Sequence, residues 1–364
     1  MGLDEKLEKA EEKLKKTPVN KATEKERGRL KAKIAKLKEE KEQRQKGTGE
    51  GQEGYAVEKT GDATVSLVGY PSVGKSRLLN RLTNAESEVG EYQFTTLDVV
   101  PGILEYRGAN IQILDVPGLI GGAAEDRGGG KQILSVIRNS DMVILMTDPE
   151  RLDGFEKMEE ELYNAGIRLD QEPPEVKVTK KGKGGIQVTS PVELSKLDRE
   201  TIEEVMESWG FVNASVVIRE DLGLDRFIDG VADNRVYMPS LKVVNKLDQI
   251  GGEEKQDIED EFGEVVFISA EEGINLDEFR EKVFERLELM RVYLKKKGGD
   301  VDREEPLILR KGDTVEDLCN ELHDKFLEKF KHARVWGDSA KFEGQQVGLD
   351  HVLKDEDVVE ISKS

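Results

Sequence analysis

Residues 63–76 read Ala-Thr-Val-Ser-Leu-Val-Gly-Tyr-Pro-Ser-Val-Gly-Lys-Ser. Five apolar or β-branched residues and Ser66 run into Gly69-Tyr70-Pro71-Ser72-Val73-Gly74-Lys75-Ser76, which fits G-x-x-x-x-G-K-[ST] between a strand and a helix. Glycines let successive backbone N–H groups turn inward around phosphate oxygens, and the following helix N-terminus adds positive potential. Lys75 supplies a point charge to the β- and γ-phosphates, and the Ser76 hydroxyl suits Mg²⁺. A strand, a phosphate loop and a helix in that order imply a parallel α/β sheet.

The texture beyond Ala63 agrees. Short apolar runs at 63–68, 111–114, 142–147, 241–244 and 265–268 alternate with helical stretches predicted at 74–83, 128–138, 154–165 and 275–294. Buried parallel strands read as continuous apolar runs, so a mostly parallel sheet with helices on both faces is expected. Residues 99–106 before 111–114 predict one antiparallel hairpin at an edge.

Further chemistry sits at the ends of these strands. Asp115-Val116-Pro117-Gly118 follows the 111–114 strand, where a carboxylate reaches Mg²⁺ and the Gly118 N–H meets a γ-phosphate. Asn245-Lys246-Leu247-Asp248 follows 241–244. Asp248 can accept from guanine N1–H and the exocyclic amine, a donor pair adenine lacks. Asn245 ties this loop to the phosphate loop, the Lys246 stem covers the base, and the backbone at Ser269-Ala270 faces guanine O6. Between phosphate loop and Asp115, Phe94-Thr95-Thr96 supplies a switch threonine: Thr96 holds Mg²⁺ and γ-phosphate in the triphosphate state alone. Thr95 and Thr96 also read as plain strand threonines at an edge.

The rest of the chain is organised around this core. Its 364 residues carry a net charge of −20, with 36% charged and 36% hydrophobic residues. Residues 1–50 carry +5 and the remainder −25, so cations are concentrated at the start. A nucleic-acid surface over the whole protein is disfavoured, and neither DNA nor a membrane is an expected partner. One cysteine, Cys319, excludes an internal disulfide framework, and a reducing cytoplasm is the default compartment. Residues 1–50 form an N-terminal helical region with apolar stripes at Leu3, Leu7, Ala10 and Leu14 and at Leu30, Ile34 and Leu37, thin enough to favour docking elsewhere, the alternative being a charged, partly disordered hairpin. The GTPase-type domain spans 62–165 and 237–295. It is interrupted by an α+β subdomain at 166–236, with a helix near 198–208 and a strand near 214–218. A compact α+β module at 303–363 closes the chain, its helix running from Thr314 to Phe330 and its strands near 333–336, 341–342 and 357–361.

At this point the sequence resembles a family. GYPSVGKS, YQFTTLDVVPG, DVPGLIGGA, RGGGKQ, NKLD and SAE, with NKATEKERGRLKAKIAKLK, FVNASVVIRED, DNRVYMP and the end ARVWGDSAKFEGQQVGLDHVLKDEDVVEI, are similar to the developmentally regulated GTP-binding proteins. These belong to the Obg-like class of translation-factor-related GTPases, and the C-terminal module resembles TGS, a ubiquitin-like β-grasp domain. The resemblance implies a GTP/GDP switch with Mg²⁺ that acts on the ribosome or rRNA in the cytoplasm. It also implies a regulatory protein partner, zinc-finger-containing in eukaryotes. The alternative is an RNA- or ribosome-binding scaffold in which nucleotide is structural.

Other residues carry narrower expectations. Where many GTPases have a water-orienting Gln after D-x-x-G, this chain has Leu119 and then Ile120, so slow intrinsic hydrolysis is expected. Some related GTPases bind K⁺ through an Asn of the phosphate loop where Ser72 stands here; modest K⁺ stimulation through backbone carbonyls is the expectation. Arg127, in a glycine-rich segment, reads as a surface residue rather than a transition-state cation. Lys177, Lys180, Lys181 and Lys183 fit either rRNA phosphates or a solvated loop. Trp336 and Phe342 read as core rather than base-stacking platforms, and Leu287 and Met290 as packing for the last helix of the GTPase domain.

Overall fold

The computed structural model describes residues 2–18, 23–47, 60–83, 99–116, 130–232, 234–296, 299–322 and 327–363. It divides into two compact units, one of 1–54 with 166–237 and one of 55–165 with 238–364.

The second unit contains the sheet foreseen from the apolar runs. Its strands are β1 (Ala63–Gly69), β2 (Val100–Tyr106), β3 (Ala109–Asp115), β4 (Met142–Thr147), β10 (Ser240–Val244) and β11 (Val265–Phe267). They lie in the order β11-β10-β4-β1-β3-β2, and every pairing is parallel except β2 with β3. That hairpin occupies one edge, as the sequence predicts. Its turn, Arg107-Gly108, has φ +51° and +83°, the paired positive values of a two-residue hairpin whose twist matches its strands. Every residue of β1 is buried, and its two hydroxyls are satisfied there: Thr64 Oγ1 donates to Gln112 Oε1 at 3.1 Å, and Ser66 Oγ bonds Ser140 Oγ at 2.7 Å.

Helices α3 (Lys75–Leu82), α4 (Gly130–Arg138), α5 (Gly154–Asn164), α8 (Gly252–Phe262) and α9 (Leu276–Arg286) accompany the sheet. Leu78, Leu79 and Leu82 of α3 join Val65, Leu67, Ile111, Ile144 and Phe279 in one core. α8 was not foreseen: its sequence is largely acidic and Ile258 is its one buried residue.

Two expectations for the end of the chain need correction. The predicted helix 275–294 stops at Arg286. Glu288 adopts φ +52°, a left-handed conformation that ends helical winding, and β12 (Leu289–Leu294) follows as a strand. β12 joins β13 (Leu307–Arg310), β14 (Phe330–Trp336), β15 (Gln345–Val347) and β16 (Val358–Lys363) in the order β13-β12-β16-β14-β15. The C-terminal sheet therefore takes its first strand from residues assigned to 237–295 rather than starting at 303. Leu287 packs in the GTPase core as expected, whereas Met290 packs in the C-terminal core with Leu318, Cys319 and Val335. Helix α10 (Val315–Leu322) begins at the predicted cap: the Asp317 N–H donates to Thr314 Oγ1, and Thr314 N–H donates to Asp317 Oδ2 at 2.8 Å. The helix does not reach Phe330, which opens β14. Residues 341–342 are not a strand. Phe342 is 66% exposed, so it is not core, and half-buried Trp336 lies under the Lys295 ammonium at 4.7 Å.

The first unit holds α1 (Leu3–Lys16), α2 (Glu24–Gly47), β5 (Ile167–Leu169), β6 (Val176–Lys180), β7 (Ile186–Thr189), α6 (Arg199–Ser208), β8 (Ala214–Ile218), α7 (Leu224–Val231) and β9 (Val236–Met238). β8 is central in the sheet β6-β8-β7, and β5 pairs with β9. Helix α2 docks on this subdomain, but through residues outside the predicted stripe of Leu30, Ile34 and Leu37. Ala32 and Ala35 of α2 enter a core with Ile202, Val205 and Phe227, and Lys31 pairs with Asp225 at 2.7 Å. Gly28 lets α2 pass close, since a Cβ there would stand 3.2 Å from Leu224. Among the basic-run lysines, Lys180 lies over the Phe211 ring at 5.4 Å and Lys181 donates to Gln187 at 3.1 Å.

Candidate functional site

Four parallel strands of one sheet, β1, β3, β4 and β10, end on the same side, and their carboxyl ends carry the predicted site. Ligands of open α/β sheets bind at such ends. The phosphate loop leaves β1 at Gly69 and enters α3 at Lys75. Ser72 (φ +69°) and Gly74 (φ +100°) turn the chain back on itself. A Cβ at Gly69 would stand 2.4 Å from the Met146 carbonyl oxygen, and one at Gly74 2.4 Å from Asn245 Nδ2, so only glycine fits at either position.

Lys75 is buried, and its ammonium donates to the carbonyls of Gly69 at 2.9 Å and Tyr70 at 3.2 Å. Burial pushes its pKa below the ordinary lysine value, opposed by the carboxylate of Asp115. The ammonium is thus stored on loop carbonyls, where phosphate oxygens would supply the anionic partner that burial demands. Ser76 Oγ donates to Asp115 Oδ2 at 2.6 Å. This pair of hard oxygen donors, at the helix start and the end of β3, fits a cation that binds through one or two carboxylates and ligand phosphates, the habit of Mg²⁺.

The base side is built by β10 and the loop after β11. Asn245 donates from Nδ2 to the Val73 carbonyl at 2.7 Å and accepts at Oδ1 from the Ala270 N–H at 2.9 Å. It therefore joins Pro71–Gly74, the Asn245–Asp248 loop and Ser269-Ala270 into one frame. Ser269 Oγ donates to Asp248 Oδ1 at 2.6 Å, fixing the carboxylate, which is exposed. Lys246 sits at φ +64°, and its ammonium donates to Asp148 Oδ2 at 2.6 Å.

The structure thus brings together Gly69 through Ser76, Asp115, Asn245, Lys246, Asp248, Ser269 and Ala270. Thr96 and Gly118 lie outside the described residues, as do Pro117, Leu119, Ile120 and Arg127. Asp148 and Arg151, which follow β4, were not singled out from the sequence. Their signal is positional: β4 lies between β1 and β10, so its following turn must stand between the phosphate and base loops, but strand order is not legible in a single sequence. Among the described residues no group of three or more His, Cys, Asp or Glu could hold a metal, and no helix is long and apolar enough to cross a membrane.

Comparison with known proteins agrees with this geometry. Residues 64–181 match the family model described as 50S ribosome-binding GTPase, 183–289 the C-terminal region of the MMR_HSR1 domain, and 290–363 the TGS domain. An uncharacterized GTP-binding protein of Methanocaldococcus jannaschii is 53% identical, covering 99% of this chain and 93% of its own length. Another, of Halobacterium salinarum, is 54% identical over 99% of both chains. Developmentally-regulated GTP-binding protein 2 of Mus musculus is 43% identical over 100% of both.

Proposed function

The chain belongs to the developmentally regulated GTP-binding protein family, and from that premise we propose that it hydrolyses GTP as a Mg²⁺-dependent switch acting on the ribosome. The observation that carries this reading is the buried Lys75 beside the Ser76–Asp115 hydroxyl–carboxylate pair, set in one frame with Asp248 through Asn245. The Gly69–Gly74 backbone and Lys75 bind the β- and γ-phosphates. Asp248, oriented by Ser269, selects guanine. Ser76, Asp115 and Thr96 would hold Mg²⁺, which when bound neutralises charge on the transferring phosphoryl group. Thr96 and the Gly118 N–H touch the γ-phosphate and release it once it is cleaved. With Leu119 in place of a water-orienting amide, intrinsic turnover is slow and modestly raised by K⁺, which equal rates in NaCl and KCl would refute.

Ribosome or rRNA engagement is supported by the 50S ribosome-binding description of the matching GTPase model and by the positive balance of residues 1–50. A regulatory protein partner and a cytoplasmic site of action follow from the same family reading. Co-sedimentation with ribosomes in GDP and in a non-hydrolysable GTP analogue tests it. The expected result is retention with the analogue and release with GDP. Equal retention in both, unchanged by Lys75→Ala, would instead make nucleotide a structural ligand on a scaffold.

A further inference from the structure

The turn after β4 touches both sides of the nucleotide site. Thr147 is fully buried; its carbonyl accepts from the Asn245 N–H at 2.9 Å and its hydroxyl donates to the Arg151 carbonyl at 2.7 Å, closing the turn. From that turn Arg151 reaches the phosphate loop, donating from Nη1 to the Pro71 carbonyl at 3.0 Å. Asp148 reaches the base loop through the Lys246 ammonium. Three residues further on, a Cβ at Gly154 would stand 2.9 Å from the Tyr70 ring, so the start of α5 also abuts the phosphate loop.

Asp148 is the anomaly in this group. It is 1% exposed, yet among the described residues its Oδ1 has no hydrogen-bond partner and its one ion pair is with Lys246. A buried carboxylate with half its acceptor capacity unmet is costly, and such a group in a folded protein calls for an explanation. Its single partner supplies one. Lys246 holds a left-handed backbone conformation in the base loop, and its stem is free to sweep unless the ammonium is tethered. A tether fixed before the ligand arrives removes that ordering penalty from binding.

We propose that Asp148 and Arg151 are positioning residues for the nucleotide: Asp148 anchors Lys246 so that its stem lies over the base, and Arg151 anchors the phosphate loop, so that one short turn sets the span between base and phosphate pockets. The inference rests on the guanine-nucleotide reading above.

The test is dissociation of fluorescent GDP from the full-length protein. Asp148→Asn removes the charge-assisted bond and is expected to weaken GDP about ten- to a hundredfold. Lys246→Ala should do the same, and the Asp148→Asn/Lys246→Ala double variant should be no weaker than Lys246→Ala alone, because the two act as one unit. Arg151→Ala acts on the other pocket, so its loss should multiply with that of Lys246→Ala. The GDP-to-XDP preference, set by Asp248, should stay at the wild-type ratio in Asp148→Asn. Should Asp148→Asn fail to fold, Lys246→Met keeps the stem, removes the tether and carries the same expected loss. Wild-type dissociation in Asp148→Asn or Lys246→Met, or losses that multiply in the Asp148/Lys246 pair, would overturn the proposal. A wild-type protein that does not bind GDP would remove the premise itself.

Discussion

Asn245 donates from its side-chain amide to the Val73 carbonyl at 2.7 Å, joining two loops that lie 172 residues apart in the chain. Its other amide atom accepts from Ala270 at 2.9 Å. Base recognition and phosphate recognition are therefore not independent sites: each is held in place by a residue of the other. Asn245→Ala would strand a buried carbonyl and a buried N–H, and unmet buried groups cost about 1–3 kcal/mol each. Thermal unfolding of the nucleotide-free protein should show a lower Tm, and GDP and GTP should weaken together. Loss of one nucleotide with the other unchanged would contradict the shared-frame account.

Asp248 carries the choice of base. Ser269 occupies one of its oxygens at 2.6 Å, so the carboxylate arrives at the base already oriented. Asp248→Asn converts an acceptor into a mixed donor and acceptor, which suits the C2 carbonyl of xanthine. Two charge-assisted bonds, each worth about 1.5–3 kcal/mol, are at stake. GDP affinity should fall about a hundredfold or more while XDP affinity rises, measured by competition against one labelled nucleotide. A variant that still prefers GDP would displace Asp248 from that role.

The Ser76–Asp115 pair makes a separate prediction about metal. In the wild type, EDTA should speed GDP release, because Mg²⁺ held at these oxygens adds to phosphate binding. Ser76→Ala should release GDP quickly with or without EDTA, so the metal dependence disappears while residual binding persists. An EDTA effect of wild-type size in Ser76→Ala would place the metal elsewhere.

How much of this was legible beforehand depends on how local each signal is. The phosphate loop and the Asn245–Asp248 loop declare themselves because backbone geometry and base chemistry each demand particular residues within eight positions. β1 was legible because it runs straight into the phosphate loop and is mostly apolar or β-branched; its polar members, Thr64 and Ser66, are buried with hydrogen-bond partners rather than facing solvent. Leu289–Leu294 was misread because Leu287, Met290 and Leu294 also suit a helical spacing; the deciding feature, the left-handed Glu288, is a backbone conformation with no glycine to mark it. α8 escaped because a single buried Ile258 leaves no apolar stripe. Phe342 was misplaced because an aromatic residue in a small module suggests core, while the turn that carries it projects into solvent. Asp148 depends on the order of strands in the sheet, a property of the fold rather than of any segment.

The unit formed by the N-terminal helices and the inserted subdomain has a polar anchor of its own. Asp229, 6% exposed, accepts from Arg168 Nε at 2.6 Å and Nη2 at 2.8 Å, and from Arg235 Nε at 2.6 Å. The bonds tie α7 to the β5–β9 pair. Removing the carboxylate leaves two guanidinium groups facing each other, one of them 3% exposed, and breaking such a buried pair costs about 3–5 kcal/mol. Asp229→Asn should therefore lower the urea midpoint sharply. A change of less than about 1 kcal/mol would mean that water reaches and screens the cluster.

Asp198 offers a test by pH in the same unit. It caps α6, accepting from the Thr201 N–H at 2.7 Å, and that backbone bond holds its carboxyl below the usual aspartate range. A depressed carboxylate pKa stabilises the fold fully above the unfolded-state value, about 3.9, and the contribution fades as pH falls toward the folded value. Asp198→Ala should cost about 1 kcal/mol at pH 7, typical of a lost cap. The gap between wild type and variant in denaturant unfolding should hold from pH 7 to pH 5. It should then narrow below about pH 4 as the wild-type carboxylate protonates and gives up its advantage. A gap that stays constant through acid pH would show that the cap acts through shape rather than charge. A gap that widens would reverse the sign of the linkage and remove Asp198 from the explanation.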